Sequence, residues 1–155
     1  MKKIIIPLWI LLLIIPLTAF SSDLEKYFKD FEKAATKKDQ KALKELIYPL
    51  KLTGEDIQKE IINSILADNE ASSGDGAFSL RALNELTNSH LDKFYPVPEV
   101  LYEELMRNEE MASVLKKINK KNIMIFDNIG VKIILVKDKK GWQLLFWENL
   151  NNLIH

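Results

Sequence analysis

The chain has 155 residues, of which 47% are hydrophobic and 28% are charged, a composition that suits one globular domain and excludes a disordered or fibrous protein. It carries 22 basic and 22 acidic residues, so no basic excess indicates a nucleic-acid partner. Cysteine is absent, which excludes disulfides, thiol catalysis, thiolate metal sites and the lipid-bearing cysteine of a lipoprotein.

The N-terminus has the pattern of a signal peptide. Two lysines precede an apolar stretch of about 14 residues, and the small-residue exit Thr18–Ser21 follows. The alternative is a retained membrane anchor, but the stretch is short against the roughly 20 residues of a membrane span, and two prolines interrupt it. We therefore expect cleavage after Ser21, with 1–21 as the signal peptide. Residues 22–155 are then a single α+β domain that is periplasmic or secreted and has no stable membrane anchor.

Helical periodicity predicts a pair of helices directly after the signal. Ser22 and Glu25 have the spacing of a capping box, which opens a first helix that runs to about Lys38. Asp39 is placed to cap a second, shorter helix. Pro49 ends this second helix, because the residue before a proline avoids the helical region.

The middle of the chain is predicted to be mainly helical. Thr53 and Asp56 open a third helix, and a loop rich in glycine, serine and acidic residues follows at Asn69–Ala77. We expect a fourth helix at about Ser79–Leu91. After an extended segment, a fifth helix is predicted to begin near Pro98, pause at Asn108 and then resume.

The C-terminal residues 123–149 predict three β-strands, the last two of which form a hairpin. Two apolar runs flank the sequence DKKG, in which Asp138 suits the first position of a type I turn. Gly141 suits the left-handed position that closes such a turn. In the DNIG sequence before these strands, Asp127 opens a turn in the same way.

The predicted hairpin is apolar on both faces. A glycine bulge at the turn pairs Leu135 with Leu145 and Lys132 with Glu148. One face then carries Val131, Ile133, Leu135, Leu145 and Trp147, and the other carries Ile134, Val136, Trp142, Leu144 and Phe146. The chain's own helices are expected to cover one face, and a cavity, another segment or a second subunit the other. We therefore predict a homodimer or a protein partner on one face of the hairpin.

Few residues are candidates for chemistry. His90 is predicted to lie at a helix end beside Ser89 and Asp92, where a polar cap is the ordinary explanation and a general base the exceptional one. No HExxH spacing or glycine-rich phosphate loop is present, so we predict no metal and no cofactor. Asp127 and Glu148 flank the strands that would line a cavity, although a turn and a cross-strand pair explain them equally well.

Aromatic residues extend this set of candidates, because they line ligand pockets as well as cores. The candidate pocket or interface residues are Tyr27, Phe31, His90, Asp127, Trp142, Phe146, Trp147 and Glu148. We assign a catalytic role to none of them.

Two stretches of the chain resemble the nuclear-transport-factor-2-like superfamily, which has a cystatin-like α+β cone. The opening FEKAATKKDQKALKELI is similar to its helix pair, and the closing VKIILVKDKKGWQLLFWEN is similar to its last hairpin. YPLKL, FSLRALNELTNSHLDKFYPVPEVLYEEL and NIMIFDNIG are similar in their order to small exported bacterial proteins of this kind. The resemblance implies N-terminal helices packed on a curved antiparallel sheet that ends in a C-terminal β-hairpin.

The resemblance does not extend to an active site, because no Asp-His or Tyr-Asp pair matches the enzyme branches of the superfamily. We therefore expect an exported, non-catalytic binding or interaction protein. The alternatives are a small-molecule-binding enzyme of the polyketide-cyclase or isomerase kind, and an inhibitor or immunity protein that neutralises another protein.

Overall fold

The computed structural model describes residues 9–67, 86, 88, 90–128 and 131–149. Within these residues, no helix is both long enough and apolar enough to cross a membrane. The predictions for the loop at 69–77, for most of the helix at 79–91 and for the centre of the DNIG turn lie outside the described residues.

The described chain is a mixture of helices and antiparallel strands. In chain order the elements are α1 (Trp9–Thr36), α2 (Gln40–Leu46), β1 (Lys51–Leu52), β2 (Glu55–Asp56), α3 (Ile57–Ala67), β3 (Tyr95–Pro96), α4 (Glu99–Leu105), α5 (Glu109–Leu115), β4 (Ile123–Asn128), β5 (Val131–Asp138) and β6 (Gly141–Asn149). Strands β3, β4, β5 and β6 form a four-stranded antiparallel sheet in that order, and β1 pairs with β2. The predicted α+β class with a C-terminal hairpin is confirmed.

The start of α1 differs from the prediction. The helix was expected to begin at Ser22, but it begins at Trp9 and passes through Ser22. Leucine and isoleucine are good enough helix formers to continue the helix through the preceding apolar stretch. Ser22 is therefore not an N-cap in the uncleaved chain, and cleavage after Ser21 stays a prediction.

A tight turn joins α1 to α2. The amide of Lys38 donates to Ala35 O at 3.1 Å, and the amide of Asp39 donates to Ala34 O at 2.9 Å, which is the Schellman pattern. Lys38 accordingly has a φ of 53°. Asp39 then caps α2, because its Oδ1 accepts from the Ala42 amide at 3.0 Å. The predicted cap at Asp39 is confirmed, and the short turn forces the two helices to run antiparallel.

The segment before α3 corrects one predicted cap. Thr53 and Gly54 have φ values of 52° and 84°, so they form the two-residue turn between β1 and β2 and not the start of a helix. The Thr53 amide donates to Glu110 Oε2, which joins this turn to α5. Asp56 does cap α3, because its Oδ1 accepts from the Lys59 amide at 3.0 Å.

The turn between β5 and β6 has the predicted chemistry. Asp138 Oδ1 accepts from the Lys140 amide at 2.7 Å, and Gly141 has a φ of 113°. Asp138 pairs directly with Gly141, so the glycine is not the extra residue of a bulge. The hairpin prediction is confirmed, and only the position of the bulge is wrong.

The bulge lies further along β6, at Leu145. The pairs of Lys132 with Glu148 and of Ile134 with Phe146 are as predicted. Leu135 faces Leu144, however, so Leu145 is an extra residue on β6. Because side chains alternate along a strand, the β6 residues from Trp142 to Leu145 lie on the faces opposite to those predicted. The residues of β5 keep their predicted faces.

The bulge changes which side chains lie on each face of the sheet. Towards α1, α2 and α3 the sheet presents Met124, Phe126, Ile133, Leu135, Trp142, Leu144 and Trp147. The opposite face presents Ile123, Ile125, Ile134, Val136 and Leu145, with Phe146 half-buried beside them. Both tryptophans therefore lie on the face that packs against the N-terminal helices.

The second face is covered by the chain itself. Met111, Val114 and Leu115 of α5 pack on it, together with Leu50 and Val97. Within the described residues, both faces of the hairpin thus contribute to a buried core. Of the three expected covers for the second face, another segment of the same chain is the one present, because α5 and its neighbours supply the second layer. The homodimer or protein partner on one face of the hairpin stays a prediction.

Candidate functional site

Aromatic rings fill the space between α1 and the sheet. The ring of Tyr27 lies 5.1 Å from that of Phe28 and 6.0 Å from that of Phe31, and all three are at most 5% exposed. The ring of Phe94 lies 5.4 Å from both Phe28 and Phe126. These distances are those of packed aromatic pairs. Tyr27 and Phe31 are therefore residues of the core, not of an open cavity.

The Tyr27 hydroxyl belongs to this core. It donates to Leu46 O at 3.0 Å and thereby fastens α1 to the end of α2. Burial raises the pKa of Tyr27 well above its usual range, and a backbone hydrogen bond from Leu144 opposes this only in part. The hydroxyl keeps its proton and is not positioned as an acid or base.

The buried hydroxyl leads to a prediction about stability and pH. Tyr27→Phe leaves the Leu46 carbonyl without its donor, so we expect the free energy of unfolding at pH 7 to fall by about 1–3 kcal/mol. Above about pH 10, the unfolded tyrosine loses its proton while the folded one keeps it, so this contribution declines as pH rises. Urea unfolding of the wild-type and Tyr27→Phe proteins should show different free energies of unfolding at pH 7, and the difference should shrink above about pH 10. A difference that is constant with pH would contradict burial of the hydroxyl.

His90 lies at the rim of the aromatic cluster. It is half-buried, its ring is 6.3 Å from that of Phe126, and it occupies the N-cap position of the short 3-10 helix Leu91–Lys93. Its side chain makes no capping hydrogen bond, and Nδ1 has no hydrogen-bond partner among the described residues. The predicted polar cap is not formed, and among the described residues no hydrogen-bond partner orients Nδ1 for a general base.

Asp127 and Glu148 lie in one row of charged residues at the end of the sheet. The register places Lys132 opposite Asp127 on β4 and opposite Glu148 on β6. Asp127 is exposed, and Lys132 is half-buried. The three charged residues are therefore neighbours in the register of the sheet, where cross-strand charge pairs form.

The remaining aromatic candidates lie on both faces of the sheet. Trp142 and Trp147 are 5% and 7% exposed and pack in the same cluster as Tyr27. Lys137 Nζ lies 5.5 Å from the ring centroid of Trp142 and 2.7 Å from a carboxylate oxygen of Asp23 on α1. Phe146 is half-buried on the opposite face of the sheet. The structure therefore does not bring the eight predicted residues together in one site.

The described surface does carry a groove, of about 350 Å³, between α1 and α2. We call it the α1–α2 groove. It is lined by Asp30, Lys33 and Ala34 of α1, by Lys37 and Asp39 of the turn between the helices, and by Ala42, Glu45 and Leu46 of α2. Ala34 is 4% exposed, and Ala42 and Leu46 are half-buried, so these three form an apolar floor. None of the eight predicted residues belongs to this lining.

Charges line the walls of the α1–α2 groove. Within the described residues, the side chains of Asp30, Lys33, Lys37 and Glu45 make no hydrogen bond or ion pair, and all four positions line the same groove. Asp39, in contrast, already accepts from an α2 amide. The groove therefore carries two lysines and three carboxylates, and among the described residues only Asp39 of these five has a partner.

The antiparallel helices arrange these charges unevenly. Lys33 and Lys37 are near the α1 C-terminus, at the end of the groove closest to the turn. Asp30 and Glu45 lie at the other end, where the Tyr27 hydroxyl contacts the end of α2. Asp39 lies at the turn beside Lys37, so both ends of the groove carry a carboxylate, with small apolar residues between.

Sequence reasoning missed this groove. The signal that could have revealed it is a stripe of charged residues on the first helix, Asp30, Lys33 and Lys37, beside alanines at 34 and 42. Residues three and four apart share one helix face, and alanines leave space where longer side chains would fill the contact. In the sequence alone, this stripe has the pattern of an ordinary solvated helix surface, because the groove exists only where α2 packs beside α1.

Two further observations bear on the kind of site. Among the described residues, no group of three or more His, Cys, Asp or Glu side chains is placed to hold a metal ion. Comparison with known proteins gives no match: no protein family, no curated protein and no solved structure is significantly similar to the chain.

Proposed function

We propose that the chain is an exported, non-catalytic binding protein. One observation carries the proposal: the candidate residues Tyr27, His90 and Asp127 are separated from one another by the packing. Tyr27 is buried in the aromatic core, His90 lies at its rim, and Asp127 is exposed at the end of the sheet. Acid–base catalysis needs such groups to converge on one substrate atom, whereas binding does not.

The α1–α2 groove is the binding surface in this proposal. A groove of about 350 Å³ is within the size range of sites that hold small ligands, which begins at about 300 Å³. Its apolar floor supplies contact area, and its four available charges supply orientation. Among the described residues, its lining includes no histidine, serine or tyrosine.

The proposal keeps the relation to the nuclear-transport-factor-2-like superfamily. Two features support it: the N-terminal helix pair packs on an antiparallel sheet, and the sheet ends in a C-terminal hairpin. The superfamily includes non-catalytic members, and its fold hosts many functions. This relation supports export and binding, and it assigns a role to no residue.

Export and binding can be tested together in a bacterial host that makes the full chain with its own N-terminus. We expect the periplasmic fraction or the medium to contain a chain that begins at Ser22, because the segment before it has signal-peptide features. Native mass spectrometry should show a non-covalent complex from which the bound species leaves chemically unchanged. Intact Met1 in the membrane fraction would contradict export, and turnover of the bound species would contradict the non-catalytic role.

A further inference from the structure

We propose that the segment Ile47–Tyr48 is a strap that closes the outer edge of the sheet, and that its release lets β6 pair with β6 of a second copy of this chain. β6 is the last strand of the four-stranded sheet. At Leu144 its outer edge meets the strap, because Ile47 forms a parallel bridge with Leu144 and the Tyr48 amide donates to Leu144 O at 2.8 Å. An edge strand offers its backbone groups to other strands, so a strap that occupies them prevents such pairing.

The sequence of β6 explains why this edge is covered. Its residues 142–147 read WQLLFW, six positions without a charge, a proline or a glycine. Uncharged segments of this length that are rich in aromatic and aliphatic residues pair with identical strands. A second copy supplies the same segment, and antiparallel pairing of the two segments places no like charges opposite each other. These properties identify a second copy of the chain as the occupant of the released edge.

The strap is continuous with α2, and Gln58 of α3 holds the junction between them. The last carbonyls of a helix have no partner within that helix. Gln58 Nε2 donates to Lys44 O at 3.0 Å and to Ile47 O at 2.6 Å. One half-buried amide of α3 therefore binds both the end of α2 and the strap.

Two buried side chains hold the same junction from the core. Gln143 of β6 is 4% exposed and donates to Glu45 O at 2.9 Å. The Tyr27 hydroxyl donates to Leu46 O at 3.0 Å and also has a backbone hydrogen bond with Leu144. The donors to the junction thus come from α1, α3 and β6, so the strap leaves the edge only when bonds to these elements break.

Gln58→Ala tests the strap, because it removes two of these hydrogen bonds at a half-buried position. Hydrogen exchange of the exported chain at low protein concentration should show the Tyr48 amide exchanging about tenfold faster than in the wild type. Sedimentation velocity should show self-association strengthened by about ten- to a hundredfold, because both copies must release the strap before their β6 strands pair. At high protein concentration, the amides of residues 145–147 should exchange more slowly.

Two control variants separate release of the strap from a general loss of stability. Gln40→Ala replaces an exposed glutamine of α2, so exchange and self-association should stay at the wild-type level. Ile62→Val truncates a side chain that is 2% exposed on the same helix as Gln58. It lowers stability without removing a bond to the strap, so it should not strengthen self-association.

Two further variants test the strap and the pairing independently. Tyr27→Phe removes the bond to Leu46 O and should speed exchange of the Tyr48 amide about fivefold. Phe146→Lys in the Gln58→Ala background adds a charge at a half-buried position of β6 in both copies, so self-association should return to the wild-type level.

Three results would overturn the inference. The first is a wild-type exchange rate of the Tyr48 amide in both Gln58→Ala and Tyr27→Phe, which would show that these side chains do not hold the strap. The second is faster exchange in Gln58→Ala with no more self-association than in Ile62→Val. The third is self-association that Phe146→Lys leaves unchanged, which would place the contact between copies away from β6.

Discussion

Replacing Phe28 by alanine is expected to lower the free energy of unfolding by about 3–5 kcal/mol, measured by chemical denaturation of the exported chain. Phe28 is 2% exposed, and its ring contacts Tyr27 and Phe94 at centroid distances of 5.1 and 5.4 Å. Truncation removes buried apolar surface and leaves a cavity that the surrounding rings can fill only in part. Since the loss is a large part of the stability of an ordinary domain, partial unfolding at 37 °C is a further expected result.

Val100→Ala is the control for this prediction. Val100 lies on α4 and is 79% exposed, so its truncation should change the free energy of unfolding by less than about 0.5 kcal/mol. A Phe28→Ala protein as stable as Val100→Ala would show that the aromatic rings surround an open pocket. That outcome would restore Tyr27 and Phe31 as candidate pocket residues.

Trp147→Ala is expected to weaken folding by about 3–5 kcal/mol and to leave the state of assembly unchanged. Trp147 is 7% exposed and packs, with Leu144 and Trp142, against the N-terminal helices. An interface tryptophan would behave in the opposite way, because its truncation removes contacts with a partner and few contacts within the chain. Urea unfolding and sedimentation velocity of the same samples separate the two behaviours.

Lys132→Ala provides a comparison on the same sheet. Lys132 is a half-buried residue of β5 opposite Asp127, and its truncation should lower the free energy of unfolding by at most about 1 kcal/mol. A wild-type dimer that Trp147→Ala converts to a stable monomer would contradict the buried position. It would also support the homodimer that the apolar hairpin first suggested.

Local signals in the sequence were sufficient for much of the secondary structure. Asp39, Asp56 and Asn108 each cap a helix with the side-chain oxygen, as their positions before apolar stripes indicate. Asp138 and Gly141 form the turn that their residue types favour. These interactions span at most a few residues, so the identities of neighbouring residues are enough to predict them.

Thr53 shows where the local signal was ambiguous. A threonine followed three residues later by an aspartate suits a helix start, but Thr53–Gly54 also suits a tight hairpin turn. The hairpin forms because Lys51 and Leu52 find partners in β2, and because the Thr53 amide meets Glu110 of α5. A contact across 57 positions of the sequence decides between two local possibilities.

The sequence by itself determined the α+β class, the caps at Asp39 and Asp56, the C-terminal hairpin and its turn, because periodicity and capping act within one or two turns of chain. Only the tertiary structure decided the bulge at Leu145, the burial of both tryptophans on one face, and the cover that α5 gives to the other. The α1–α2 groove belongs to this second group. Each of these features depends on which side chains meet across the fold, and hydrophobic burial is non-directional, so a linear pattern does not specify its partner.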